Sequence, residues 1–181
     1  MAQIKIDDQF VYFKTARAWR ADRDKNTRRR KDLQAELNRQ RLKMKQFKFS
    51  SVSHTTHQGG FALSAHPVGF DIEDLSRELS PRAQKWLSRP EEMRRVKAPN
   101  RALAIWVMKE AAYKALKGPK QPLTVKEITL LSCRRLPQNE NRHSTYAFTF
   151  STRKTRHPQG QGRLIFRARS IVGIATLFTK L

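Results

Sequence analysis

Between Ala102 and Leu116 the chain carries only three charged residues, Lys109, Glu110 and Lys114, in an otherwise apolar run. A helix that is apolar on almost every side is a buried one. Asn100 stands where an N-cap belongs, and Gly118 and Pro119 close the other end, so the signals predict a helix from about 101 to 117. Ser80 followed by Pro81 predicts a second, shorter helix that stops near Pro90.

The period changes on either side of these helices. Phe47, Phe49, Ser51 and Ser53 alternate with other residues, Phe61 to Ser64 follows Gly59 and Gly60, and Val68 to Glu73 follows Pro67. All three read as strands. Beyond the buried helix, Thr124 to Ser132, Ser144 to Ser151, Leu164 to Ala168 and Ser170 to Phe178 are β-branched and aromatic runs separated by polar turns. They predict an antiparallel sheet.

The first part of the chain reads differently. From Lys14 to Lys48 there are 14 basic and 4 acidic residues and neither proline nor glycine, which predicts a long charged helix. Leu33, Leu37 and Met44 fall on one face of it, and Phe10, Phe13 and Trp19 give its beginning an apolar anchor. The element order of helix, strands, helices and strands gives an α+β class, an antiparallel sheet packed against a long buried helix. Two parts follow: a basic helical arm over 1–48 and one compact unit over 49–181.

Charge narrows the partners. With 38 Lys and Arg against 15 Asp and Glu, a formal net charge of +23, the surface carries a strong positive field, so its partners should be anionic. Nucleic acid, an acidic membrane face and acidic or phosphorylated partners all satisfy that condition. The single cysteine, Cys133, excludes an intrachain disulfide and a multi-cysteine zinc site. The start of the chain lacks the apolar stretch of a signal peptide, and Ile171 to Phe178 is too short to cross a bilayer, so a soluble, cytoplasmic protein is expected.

The candidate chemistry sits on the buried helix and on one strand. Glu110 and Lys114 are four apart and share a face with Trp106 one turn earlier, which places a carboxylate and an ammonium in apolar surroundings. Charges there are costly without a purpose. In Val68-Gly-Phe-Asp-Ile-Glu73 the carboxylates of Asp71 and Glu73 share one face of the pleat, and Phe70 and Ile72 share the other. Two adjacent carboxylates repel, and a hard divalent cation relieves the repulsion. Gly69 and the flanking apolar residues mark this strand as central and closely approached. The arginine run Arg28 to Arg30 with Lys31 reads as a solvated face, the three-residue spacing of His54 and His57 with no nearby cysteine is poor evidence for zinc, and His66, His143 and His157 read as surface or loop residues.

Three stretches, Ser51-Val-Ser-His54, Val68-Gly-Phe-Asp-Ile-Glu73 and Trp106-Val-Met-Lys-Glu-Ala-Ala-Tyr-Lys-Ala115, come in an order that resembles the 4'-phosphopantetheinyl transferase family. The resemblance covers roughly residues 49 to 118. It implies magnesium, or manganese, on the diphosphate of coenzyme A, and attack by a carrier-protein serine on the phosphorus bearing the pantetheine arm. Asp71, Glu73 and Glu110 match the metal-binding carboxylates, with Glu110 also near the attacking serine as a general base. Lys114 matches the lysine on the diphosphate, and Lys109 is a second candidate for that contact. Ser53 and His54 match the pair that the larger, surfactin-synthetase-activating type uses near the 3'-phosphate of coenzyme A.

The resemblance also explains the charge, because coenzyme A and acyl or peptidyl carrier proteins are both anionic. Carriers of fatty-acid and of secondary-metabolite synthesis fit equally. In length the chain matches neither the larger, two-half type nor the smaller acyl-carrier-protein synthase type, and its motifs resemble the second half of the larger one. One half offers one wall of the cleft, so a second copy of the chain is expected to supply the other. The competing readings are a basic nucleic-acid-binding protein without catalysis, which leaves Glu110 buried without a purpose, and a transferase-like binding module that has lost activity.

Overall fold

The computed structural model describes residues 2–6, 9–17, 34–117, 121–137, 143–152 and 157–178. Its strands are β1 (Ala2–Ile6), β2 (Gln9–Arg17), β3 (Phe49–His54), β4 (Gln58–Ser64), β5 (Val68–Asp74), β6 (Ile128–Arg135), β7 (Thr145–Thr152), β8 (Gly160–Phe166) and β9 (Ser170–Leu177). Helix α1 covers 34–43, and α2 (Pro81–Leu87), α3 (Pro90–Arg95) and α4 (Arg101–Ala115) follow β5. The strands make two antiparallel sheets, one of order β1-β2-β4-β3 and one of order β5-β9-β8-β7-β6.

The expectation of a mixed fold with antiparallel strands and helices is met, but the segment before Lys48 is not one helix. It begins with the antiparallel pair β1 and β2, and β2 pairs in turn along β4, with Lys14 opposite Phe61 and Ala16 opposite Gly59. Alternation decides this: Val11 and Phe13 point one way and, with Ile6, are buried against the larger sheet. The density of basic residues, which suggested a helix, says nothing about backbone period. Helix α1 is the part of the expected helix that lies among the described residues, and Leu37 and Met44 do pack together there, against Phe47, Phe61 and Leu63. Trp19, Leu33 and the Arg28 to Lys31 run lie outside the described residues.

Helix α4 is buried as its composition requires, with nine of its fifteen residues inside the core. It lies on β5 and β9 at two glycines. A Cβ on Gly69 would come 1.8 Å from the Ala111 carbonyl oxygen, and one on Gly173 2.8 Å from the Val107 side chain. Gly173 is the register partner of Asp71, so the helix crosses the strand pair where that carboxylate stands. Asn100 starts α4 through its left-handed backbone (φ 42°, ψ 60°), a conformation asparagine tolerates, and no side-chain cap bond accompanies it. Ser80 caps α2 as expected, its Oγ accepting the Ala83 N–H at 3.2 Å. The closing Gly118 and Pro119 lie outside the described residues.

The strand carrying Asp71 is not central. Among the described residues β5 is the edge of its sheet and pairs only with β9. Its open edge is covered by β3 of the other sheet through serine side chains: Ser51 Oγ, buried, accepts the Phe70 N–H at 3.0 Å, and Ser53 Oγ donates to Asp71 Oδ1 at 2.8 Å. Edge strands need such cover. Phe70 and Ile72 face the core between the sheets, leaving Gly69, Asp71 and Glu73 on the α4 side.

Candidate active site

Of the residues that the sequence singles out, Ser53, Asp71 and Lys114 meet in one hydrogen-bonded cluster, and Glu73 and Glu110 stand close enough to feel its charge. Asp71 Oδ1 accepts from Lys114 Nζ at 2.7 Å and from Ser53 Oγ at 2.8 Å, and Lys114 Nζ also donates to Ser53 Oγ at 3.1 Å. Three separate elements, β3, β5 and α4, thus converge on one oxygen. The other oxygen, Asp71 Oδ2, is buried and has no hydrogen-bond partner among the described residues. A buried carboxylate normally satisfies both oxygens, so this one has capacity left for a further donor or a cation.

Glu73 stands two residues along the same face. Its Oε1 accepts from Trp106 Nε1 at 3.1 Å and from Arg77, whose guanidinium also lies 5.0 Å from the centre of the Trp106 ring. Burial first, and the charge of Asp71 second, push the Glu73 carboxyl up to about 7, against the opposing pull of Arg77, Trp106 and Lys114. Glu110, half-buried on α4, is raised for the same two reasons, with Lys114 and Arg77 opposing. Each of these carboxyls feels Asp71, which ties the three acids into one electrostatic unit. A carboxyl raised toward neutrality accepts a proton more readily than an ordinary one.

Lys109 is not brought to this cluster. Its side chain is 0% exposed on another side of α4, where Nζ donates to Glu92 Oε2 and to the Leu87 carbonyl, both at 2.8 Å. The helical period separates it from its neighbour Glu110 by about 100° around the axis. His54 ends β3 at an exposed position, one residue beyond Ser53. Sequence reasoning missed Arg77 and Glu92. The first stands four residues after Glu73 but past the end of the strand; the second had a signal in Pro90-Glu91-Glu92, a proline and an acidic pair at a helix start.

The profile of the 4'-phosphopantetheinyl transferase superfamily matches residues 67–166, just over half the chain. The chain belongs to that superfamily. The matched segment runs from the start of β5 to the end of β8 and contains Asp71, Glu73, Arg77, Trp106, Glu110 and Lys114, while Ser53 and His54 precede it. No curated protein matches the chain. Membership makes the protein a transferase of phosphopantetheine, with coenzyme A as donor and carrier proteins as acceptors in the superfamily as a whole.

Superfamily members typically use a divalent metal. An all-oxygen donor set with an unpartnered buried Asp71 Oδ2 suits a hard cation such as magnesium. Among the described residues no three acids, histidines or cysteines stand in a finished ligand array, and Glu73 is engaged by Arg77 and Trp106. Among the described residues, no helix is long and apolar enough to cross a membrane.

Proposed function

We propose that the protein moves the 4'-phosphopantetheine arm of coenzyme A onto a serine of an apo acyl or peptidyl carrier protein, in the cytoplasm. The serine oxygen forms a bond to the phosphorus bearing the pantetheine arm. The bond from that phosphorus to the bridging oxygen breaks, and adenosine 3',5'-bisphosphate leaves. Glu110 takes the serine proton, directly or through a water, as its raised proton affinity allows. Lys114, already aimed at the oxygens of Asp71 and Ser53, offers its ammonium to the diphosphate as charge grows on the leaving oxygen.

Asp71, Glu73 and Glu110 are the residues that would hold magnesium or manganese, and a cation bound there would neutralise diphosphate charge. Ser53 orients Asp71 and Lys114, and with His54 it borders the coenzyme's phosphate end. The positive surface field draws both coenzyme A and an acidic carrier. A second copy of the chain supplies the other wall of the cleft; light scattering that found an active monomer would refute this part.

The observation that carries the reading is the buried, unpartnered oxygen of Asp71 beside two carboxyls of raised proton affinity and one lysine, all inside the segment that defines the family. The test incubates the protein with coenzyme A, magnesium chloride and an apo acyl carrier protein, then weighs the carrier. A mass gain equal to the phosphopantetheine arm is expected. An unchanged carrier, together with tight binding to RNA or duplex DNA, would favour the nucleic-acid reading instead.

A further inference from the structure

We propose that the buried Lys109–Glu92 ion pair is a positioning device, fixing the rotation of α4 about its axis and so holding Glu110 and Lys114 toward Asp71. The proposal rests on the reading that Glu110 and Lys114 serve the transfer. Both charged side chains are essentially unexposed, at 0% and 1%. Lys109 Nζ reaches Glu92 Oε2 in α3 and the Leu87 carbonyl at the end of α2, each at 2.8 Å. Glu92 in turn accepts the Arg89 N–H on Oε2 and the Leu130 N–H of β6 on Oε1, each at 2.9 Å. One lysine on α4 is thus tied to three neighbouring elements.

Stability alone is a weak reason for such a pair. Burying two charges costs as much as their attraction returns, and apolar residues of similar size often hold a fold equally well. What apolar residues lack is direction. An ammonium with two acceptors at hydrogen-bond distance adds a requirement that packing alone does not, because turning the helix stretches both bonds beyond that distance.

Direction matters here because of where the other residues sit. Counting about 100° per residue, Glu110 lies about 100° and Lys114 about 140° around the axis from Lys109, so both swing together if the helix turns. Lys114 meets Asp71 at 2.7 Å, and misplacement of a reacting group by about 1 Å can cost on the order of a hundredfold in rate. Gly69 and Gly173 fix how closely α4 approaches the sheet, and the buried pair supplies the constraint they lack.

The test compares wild type with Lys109→Met/Glu92→Gln, which removes both charges and keeps an acceptor for Leu130, using coenzyme A, magnesium and apo acyl carrier protein. The double variant should melt cooperatively near the wild-type temperature, with kcat lower by about tenfold or more and KM for coenzyme A within about twofold. A kcat within twofold of wild type would make the pair merely structural and overturn the proposal. A tenfold rise in KM with kcat retained would make Lys109 a coenzyme contact and overturn it equally. Should the double variant fail to fold, Lys109→Arg keeps the charge with a different head geometry; the same kcat loss supports the proposal and wild-type turnover sinks it. An inactive wild type in that assay overturns the transferase reading itself, and the proposal with it, so the two failures are told apart.

Discussion

Lys114 Nζ lies 2.7 Å from Asp71 Oδ1, joining a helix to the edge strand of a sheet at a carboxylate that is itself almost wholly buried. Removing the ammonium leaves that carboxylate with one remaining donor among the described residues, Ser53. Lys114→Met should therefore act twice. Unfolding in urea should show a loss of about 1–3 kcal/mol, the cost of a buried charge stripped of a partner. Transfer should fall by about a hundredfold or more, the usual scale for losing a group that stabilises developing charge. Stability lost with turnover intact would remove Lys114 from the chemistry.

The glycine at the helix crossing gives a second expectation. Gly69→Ala puts a methyl group 1.8 Å from the Ala111 carbonyl oxygen, and backbone cannot step aside there without lifting α4 off β5. Overpacking of this kind costs about 1–3 kcal/mol, and sometimes more. Thermal melting should show it, and activity should fall further than stability, because α4 carries Glu110 and Lys114.

Titration of Glu73 gives a third. Its carboxyl is raised in the folded protein from 4.5 to about 7, so between those values the folded chain binds more protons than the unfolded one. Stability contributed by this group is then present below the unfolded value and lost as pH rises toward 7. Measured in a chelator, the melting temperature of Glu73→Gln minus that of wild type should grow from pH 5 to pH 8. A difference that is flat or shrinks over that range would show that Glu73 is not strained by its surroundings.

The same strain predicts a response to metal. At pH 7.5 magnesium chloride should raise the melting temperature of the wild type, since a ligand that binds only the folded state stabilises it. The gain should be smaller in Glu73→Gln and smaller still in Asp71→Asn. Equal gains in all three proteins would place the cation elsewhere.

How much of the fold and the site was legible in the sequence depends on which physical signal each part leaves. Helix α4 was legible because the apolar run around Glu110 and Lys114 is too long for a strand and carries a start signal in Asn100, and β5 because Phe70 and Ile72 alternate with Asp71 and Glu73. The pairing of β1 with β2 was hidden by charge: Lys14 and Arg17 suggested continuity with the basic residues that follow, while the alternation of Val11 and Phe13 carried the structural information. The cover of the β5 edge by Ser51 and Ser53 could not be read locally, since it depends on two sheets meeting. Lys109 misled for a related reason. Adjacent in sequence to Glu110, it points elsewhere because a helix turns, and its partner Glu92 lies seventeen residues away.

The most direct test is intact-mass analysis of an apo carrier protein after parallel incubation with the wild type and with Glu110→Gln, in coenzyme A and magnesium. The substitution removes a charge and almost no volume, so circular dichroism of the two proteins should agree. Wild type should convert the carrier to the heavier form and Glu110→Gln should leave it unchanged. Conversion at equal rates by both proteins, or by neither, would contradict the account.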